Sequence, residues 1–253
     1  MNKLYFTGHT FLVSDIHLGP DIPLTNSNFY DFLASIQSQA NNLIILGDLF
    51  DLWYGDDTLL YETPGWLTEA IDKLKAFALA VPTYFIHGNR DFLIGKKFSE
   101  ITGIHILPDE VILNIGDIKN IHISHGDQMC LDDIAYIRMR KIFRNKIVQK
   151  IFLMLPTRTR SKIATKIRGT SESSKKGDKY YYDVPDRAID SLVMRNSNIT
   201  DIIHGHTHKP NIHNHGNIKR YVLPDWDYDH DKRGGYIHIT PSGQILTEYS
   251  TPT

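Results

Sequence analysis

Thr10-Phe11-Leu12-Val13-Ser14-Asp15-Ile16-His17 begins as an apolar run and ends in two side chains able to hold a cation. The pattern recurs along the chain. Leu43-Ile44-Ile45-Leu46 runs into Gly47-Asp48, and Tyr84-Phe85-Ile86-His87 into Gly88-Asn89-Arg90-Asp91. Ile121-His122-Ile123-Ser124 runs into His125-Gly126-Asp127, and Ile202-Ile203 into His204-Gly205-His206-Thr207-His208. Short runs rich in Ile and aromatics suit strands buried on both faces. Helical spacing lies between some of them. Leu67, Ala70, Ile71, Leu74, Phe77 and Ala78 form one apolar stripe, and Asn28 to Ser38 is a shorter candidate. Alternating strands and helices predict a layered α/β core. Ligands of open α/β sheets bind beyond the carboxyl ends of the strands. Five strand ends bearing Asp, His and Asn are therefore expected to converge on one site.

The ligand types narrow the chemistry. Asp15, His17, Asp48, Asn89, His125, His206 and His208 offer carboxylates, an amide and imidazoles. Mixed nitrogen and oxygen donors suit Mn, Fe, Co or Zn more than Mg or Ca. Seven donors are too many for one ion. They suit two ions roughly 3.5–4 Å apart sharing a carboxylate, a pair that activates water and neutralises charge on phosphorus. The single cysteine, Cys130, excludes a thiolate cluster and an internal disulfide framework. His213 and His230, outside these motifs, read as solvated surface groups.

Taken together, Asp15-Ile16-His17, Gly47-Asp48-Leu49-Phe50-Asp51, Gly88-Asn89-Arg90-Asp91, His125-Gly126 and Gly205-His206-Thr207-His208 resemble the signature of the calcineurin-like metallophosphoesterases. The resemblance implies a four-layer α/β/β/α sandwich of two mixed sheets. It implies one metal on Asp15, His17, Asp48 and His208, and another on Asp48, Asn89, His125 and His206, with Asp48 bridging. Asp51 and Asp127 are expected to orient ligands, and His87, His122 and His204 to be structural. Many members of the family carry His after the Gly-Asn pair, where this chain has Arg90. Arginine cannot act as the acid but grips phosphate oxygens as a fork. The leaving group must then need little protonation, which points to a pyrophosphate bond.

Gly88-Asn89-Arg90-Asp91, the stretch from His125 to Tyr136, and Arg168-Gly169-Thr170-Ser171 further resemble the branch of this family that hydrolyses UDP-2,3-diacylglucosamine. The implied reaction is manganese-dependent attack of a metal-bound hydroxide on the α-phosphorus. Its products are UMP and 2,3-diacylglucosamine 1-phosphate. Asp48, Asn89, Arg90, His125 and His206 are the implied catalytic set. Asn89, Arg90, Asp133, Tyr136, Ser171, Lys176 and His206 are the implied substrate contacts, with Lys175 and Lys179 as alternatives to Lys176.

Charge is distributed unevenly. Net charge is −1, yet Ile137 to Lys176 holds 13 Lys and Arg against one acid, Glu172. This block predicts a helical cap, about residues 132–180, inserted into one domain spanning residues 1–253. Ile142, Phe143, Ile147, Ile151, Met154 and Leu155 form the apolar face of its first helix, which Pro156 ends; Ile163 and Ile167 mark a second. Lys and Arg beside an aliphatic face suit acyl chains and anionic headgroups. A nuclease or nucleotide phosphodiesterase with the same metals is the rival reading. The block's few aromatics, Phe143 and Phe152, argue against nucleic acid as a partner. The N-terminus carries no signal-peptide pattern and no stretch is long and apolar enough to span a bilayer. The expected location is cytoplasmic, peripheral to the inner membrane of a Gram-negative bacterium.

Overall fold

A computed structural model describes residues 2–60, 63–116, 119–177 and 183–250, with side chains described except at 170–177 and 250. In chain order the elements are β1 (Asn2–Phe6), β2 (Thr10–Val13), α1 (Pro23–Ile36), β3 (Asn42–Leu46), α2 (Gly65–Ala80), β4 (Thr83–Ile86), α3 (Lys96–Thr102), β5 (His105–Ile106), β6 (Glu110–Ile115) and β7 (Lys119–Ser124). They continue with α4 (Ile134–Phe143), α5 (Lys146–Leu153), α6 (Thr157–Gly177), α7 (Asp186–Arg195), β8 (Asp201–His204), β9 (Asn211–His215), β10 (Ile218–Val222), β11 (Gly234–Ile239) and β12 (Ile245–Ser250).

The strands form two mixed six-stranded sheets, ordered β1-β6-β7-β8-β10-β9 and β12-β11-β2-β3-β4-β5. Strand alternation assigns each side chain to a layer. Leu12, Ile44, Leu46, Ile121, Ile123, Ile203 and Ile237 fill the space between the sheets. Phe11, Val13, Leu43 and Ile45 point the other way, into a core shared with Phe29, Leu33, Leu67, Leu74, Phe77 and Phe98 of α1, α2 and α3. Ile112, Ile202 and Ile218 face Ala188, Ile189 and Leu192 of α7. The result is the expected α/β/β/α sandwich. α2 buries the stripe read from its spacing, and α1 begins at Pro23, where a fixed φ and a missing N–H cost nothing.

Two expectations need correction. Tyr221-Val222-Leu223, Gly235-Tyr236-Ile237-His238-Ile239 and Ile245-Leu246-Thr247-Glu248-Tyr249 read from sequence as antiparallel strands, but they do not form one antiparallel set. β11 and β12 pair antiparallel, but β10 lies in the other sheet, parallel to β8. The first cap helix is also two helices. Asn145 accepts hydrogen bonds from Ile147 N and Val148 N and starts α5, breaking the apolar stripe at Arg144. Among the described residues no helix is long and apolar enough to cross a membrane.

Candidate metal centre

β2, β3 and β4 run parallel in one sheet, and β7 and β8 in the other. Their carboxyl ends deliver Asp15 and His17, Asp48, Asn89, His125, and His206 with His208, so the site straddles the seam of the sandwich. The loops are laced by backbone bonds. Asp15 N donates to Gly47 O at 3.1 Å, His17 N to Asp48 O at 2.9 Å, and Gly205 N to His125 O at 2.8 Å. Side chains add to the lacing: Arg90 N donates to Asp48 Oδ1 at 2.9 Å and His206 N to Asp15 Oδ2 at 2.8 Å.

The backbone is strained at these residues. Among the described residues, the non-glycine positions with positive φ are Asp15, His17, Asp48, His206, His208 and Lys232. Five of those six belong to the seven residues singled out from sequence. An L-residue in this region costs about 1 kcal/mol or more, and such outliers collect at functional sites. Two motif glycines meet a different demand. A Cβ on Gly88 would strike Asp48 Oδ1, and one on Gly205 would strike Asp15 Oδ2.

All seven side chains come together. Ligand atoms of Asp15, His17 and His208 lie within 4.8 Å of one another, as do those of Asp15, Asp48 and His125. Asn89 Oδ1 is 3.0 Å from His125 Nε2, and the His206 ring centroid is 5.0 Å from that of His125. Asp15 belongs to both groups, and Asp48 Oδ1 lies 3.8 Å from His125 Nε2.

The donor set fits metal ions. Both ring nitrogens of His17 are buried without a hydrogen-bond partner among the described residues. Buried polar atoms left so are costly unless something binds them. His125 Nδ1 donates to Leu46 O at 2.8 Å, which aims Nε2 at the site. His208 Nδ1 lies 3.2 Å from Asp225 Oδ2 and Nε2 lies 3.3 Å from Asp15 Oδ1. A carboxylate behind the imidazole fixes its ring and raises its basicity.

The electrostatics match. Burial opposes ionisation of Asp15, but the hydrogen bond and charge of His208 outweigh it and hold the carboxyl well below its usual range. Burial and the Asp15 charge raise Asp48. Burial would lower His208, yet its bonds to Asp15 and Asp225 push it up to about 10. Two buried carboxylates thus draw positive charge into the cluster.

Other carboxylates near the centre hold core and cap side chains. Asp51 accepts from Arg90 Nη1 at 3.0 Å and pairs with Arg168 of α6, so it positions arginines. Arg90 Nε also stands 3.8 Å from Asp48 Oδ2. Asp127 accepts from Tyr136 Oη at 2.5 Å and Arg140 Nε at 2.7 Å, anchoring α4. Asp133 caps α4, accepting from Tyr136 N at 2.9 Å. Tyr136 stands at the site, its ring centroid 5.8 Å from that of His206. The side chains of Ser171, Lys175 and Lys176, and all of Lys179, lie outside the described residues. His87 and His204 bond Ile94 O and Gly205 O, and His122 is fully buried beside Glu110, as structural histidines would be.

Two carboxylates were given no role by the sequence reading. Asp91 accepts from Leu49 N at 2.6 Å and Gly88 N at 2.9 Å, tying the loops of Asp48 and Asn89 together. Asp225 supports His208 and is held by Arg233. Asp91 belonged to a quoted motif, and Asp225 follows an apolar strand as the ligands do; strand-end position was the available signal.

A cavity of about 210 Å³ adjoins the centre. Asn89 and Arg90 line its polar end. Trp53, Phe92 and Leu93 of the core and Met139, Phe143, Val148, Phe152, Ile163 and Ile167 of the cap line the rest. Cap arginines hold this arrangement. Arg144 donates to His87 O at 3.2 Å and Gly88 O at 3.0 Å, and Arg140 and Arg144 pair with Asp109. Arg160 is buried against Tyr54 O and Asp57. Arg140, Arg144, Arg160 and Arg168 thus turn toward the body of the protein. Arg138, Lys141, Lys146, Lys150, Arg158 and Lys162 do face out.

Comparison with known proteins agrees with this geometry. The family model for calcineurin-like phosphoesterase matches residues 8–210. UDP-2,3-diacylglucosamine hydrolase of Bordetella parapertussis is 37% identical over 250 residues, 96% of each chain. The protein of that name from Haemophilus influenzae strain PittGG is 39% identical over 219 residues, covering 86% of this chain and 90% of its own. That from Serratia proteamaculans is 40% identical over 248 residues, covering 95% and 99%.

Proposed function

The chain belongs to the calcineurin-like phosphoesterase family, and we propose that it hydrolyses the pyrophosphate bond of UDP-2,3-diacylglucosamine to UMP and 2,3-diacylglucosamine 1-phosphate. The observation that carries this reading is the continuity of the site. Seven metal-ligand side chains, a phosphate-gripping arginine and an apolar cavity under a helical cap follow one another without a break. A substrate with a diphosphate at one end and acyl chains at the other fits that order. The relatives of nearly equal length bear the name of this activity.

Two manganese ions are the proposed cofactors, one on Asp15, His17, Asp48 and His208 and the other on Asp48, Asn89, His125 and His206. When bound they supply Lewis-acid chemistry, lowering the pKa of water and neutralising phosphate charge. The chain's own part is positioning. Asp91 and Asp225 hold Asn89's loop and His208. Arg90 is held near Asp48 and grips phosphate oxygens without giving a proton, which suffices because a phosphate leaving group needs none. Asp48, Asn89, Arg90, His125 and His206 form the catalytic set. Asp133, Tyr136, Ser171 and Lys176 join Asn89, Arg90 and His206 as substrate contacts.

The cap, about residues 132–180 within a single domain, also meets the membrane. α4 and α5 bury no residue, and Ile142, Ile147, Ile151 and Met154 stand exposed among the outward cations. Such a surface suits an anionic bilayer. The proposed location is the cytoplasmic face of the inner membrane of a Gram-negative bacterium. A product assay with UDP-2,3-diacylglucosamine, Mn²⁺ and oxygen-18 water tests the reaction. Label in UMP supports attack on the α-phosphorus. Label in the lipid product, or equal turnover of a deacylated analogue, overturns the proposed reaction course or the role of the cavity.

A further inference from the structure

A second His-x-His lies outside the metal centre. His213 and His215 stand two residues apart on β9, so both side chains leave one face of the strand. Their ring centroids are 6.5 Å apart, close to the spacing of about 6.6 Å that strand geometry sets. The register pairs them with Arg220 and Ile218, which places them on the sheet face that α7 covers.

α7 supplies a third residue. Asp186 Oδ1 lies 3.2 Å from His215 Nδ1. A carboxylate there holds the ring proton on Nδ1 and leaves the Nε2 lone pair available. His215 Nε2 is buried and has no hydrogen-bond partner among the described residues. His208 shows the same construction in the metal centre, with Asp225 behind Nδ1 and Nε2 facing the cluster. Burial and the charge of Arg220 hold His213 below its ordinary range, in the neutral form that ligation requires. Arg220 is itself offset by Asp183 at 3.2 Å and by His204 Nε2 at 3.1 Å.

We propose that His213 and His215 form a peripheral site for a divalent transition-metal ion of the zinc, nickel or copper type, with Asp186 orienting His215. Paired imidazoles select these ions over Mg²⁺ and Ca²⁺, which take oxygen ligands. Water completes the coordination. The ion ties the edge strand β9 and, through Asp186, the first turn of α7.

Equilibrium dialysis of the untagged full chain against Ni²⁺ tests the site. The wild type should retain one ion per chain more than the H213A/H215A variant, whatever the metal centre itself holds. H213Q/H215Q, which keeps polar side chains on this face, should show the same loss. Asp186→Asn should weaken the extra ion by about 10- to 100-fold. With Cu²⁺, electron paramagnetic resonance should show coupling to imidazole nitrogen that both double variants lack. Equal nickel content in wild type and variants, or unchanged copper spectra, overturns the site. Unchanged affinity in Asp186→Asn overturns the role of that residue.

Discussion

The metal centre and the cap are ordered by different means. At the centre, loops from five buried strands are fixed by backbone bonds, by Asp91 and Asp225, and by left-handed residues that packed strands force into place. In the cap, no residue of α4 or α5 is fully buried, and the helices are held largely by guanidinium contacts: Arg140 to Asp127 and Asp109, Arg160 to Asp57, Arg168 to Asp51. A hydrophobic core tolerates no sliding, because its packing is as dense as an organic crystal. A few directional ion pairs locate helices while leaving their apolar faces free for something else. The centre is built to hold still, and the cap to present a surface.

Substitutions that separate these modes should differ most at the centre. Asp48→Ala should lower kcat by 10³-fold or more and strip bound metal, as kinetics and elemental analysis would show. His230→Ala, an exposed control, should do neither. Next in size is the cap's anchor. Arg140→Ala leaves Asp127 buried without its cation and should cost about 3 kcal/mol in urea unfolding. Lys141→Ala, one residue on and exposed, should change stability by no more than about 0.5 kcal/mol.

The cap's two faces should then part company. Phe152→Asp, in the cavity wall, should raise KM for the diacyl substrate about tenfold or more and leave a deacylated analogue nearly unchanged. Ile147→Asp, 70% exposed, should instead weaken binding to anionic vesicles and leave KM for dispersed substrate alone. Equal effects of the two changes on KM would merge faces that the structure separates. The smallest effects belong to single surface cations. Changing Arg138, Lys141 and Lys146 to Ser should cost about 1 kcal/mol of vesicle binding per residue and flatten its salt dependence in a flotation assay.

The two regions were also unequally legible. A strand buried on both faces must be an apolar run, and its end must turn polar, so Asp15, Asp48, Asn89, His125 and His206 announced themselves. Cap helices carry no such constraint. The apolar stripe from Ile142 to Leu155 keeps helical phase across the break at Asn145, and only the capping tendency of Asn hinted at it. Arg140 and Arg144 look like any cation on a solvated helix, because Asp109 and Asp127 lie across the fold. α7 hides for a related reason: Ala188, Ile189 and Leu192 suffice to seat it. The single cysteine was legible only as absent chemistry. Burial pushes its thiol up to about 12, so Cys130 should resist alkylation in the folded protein.

The left-handed backbone at Asp15 and Asp48 bears on how such a protein can change over generations. Asp and Asn are among the few residues that accept this conformation readily, and one nucleotide separates their codons. An Asp-to-Asn change keeps the turn and its hydrogen-bond acceptor while removing the charge that holds a metal. Descendants of this fold can thus fall silent as enzymes without falling apart as proteins. Lineages that keep the architecture for binding alone have an open path, one base change long.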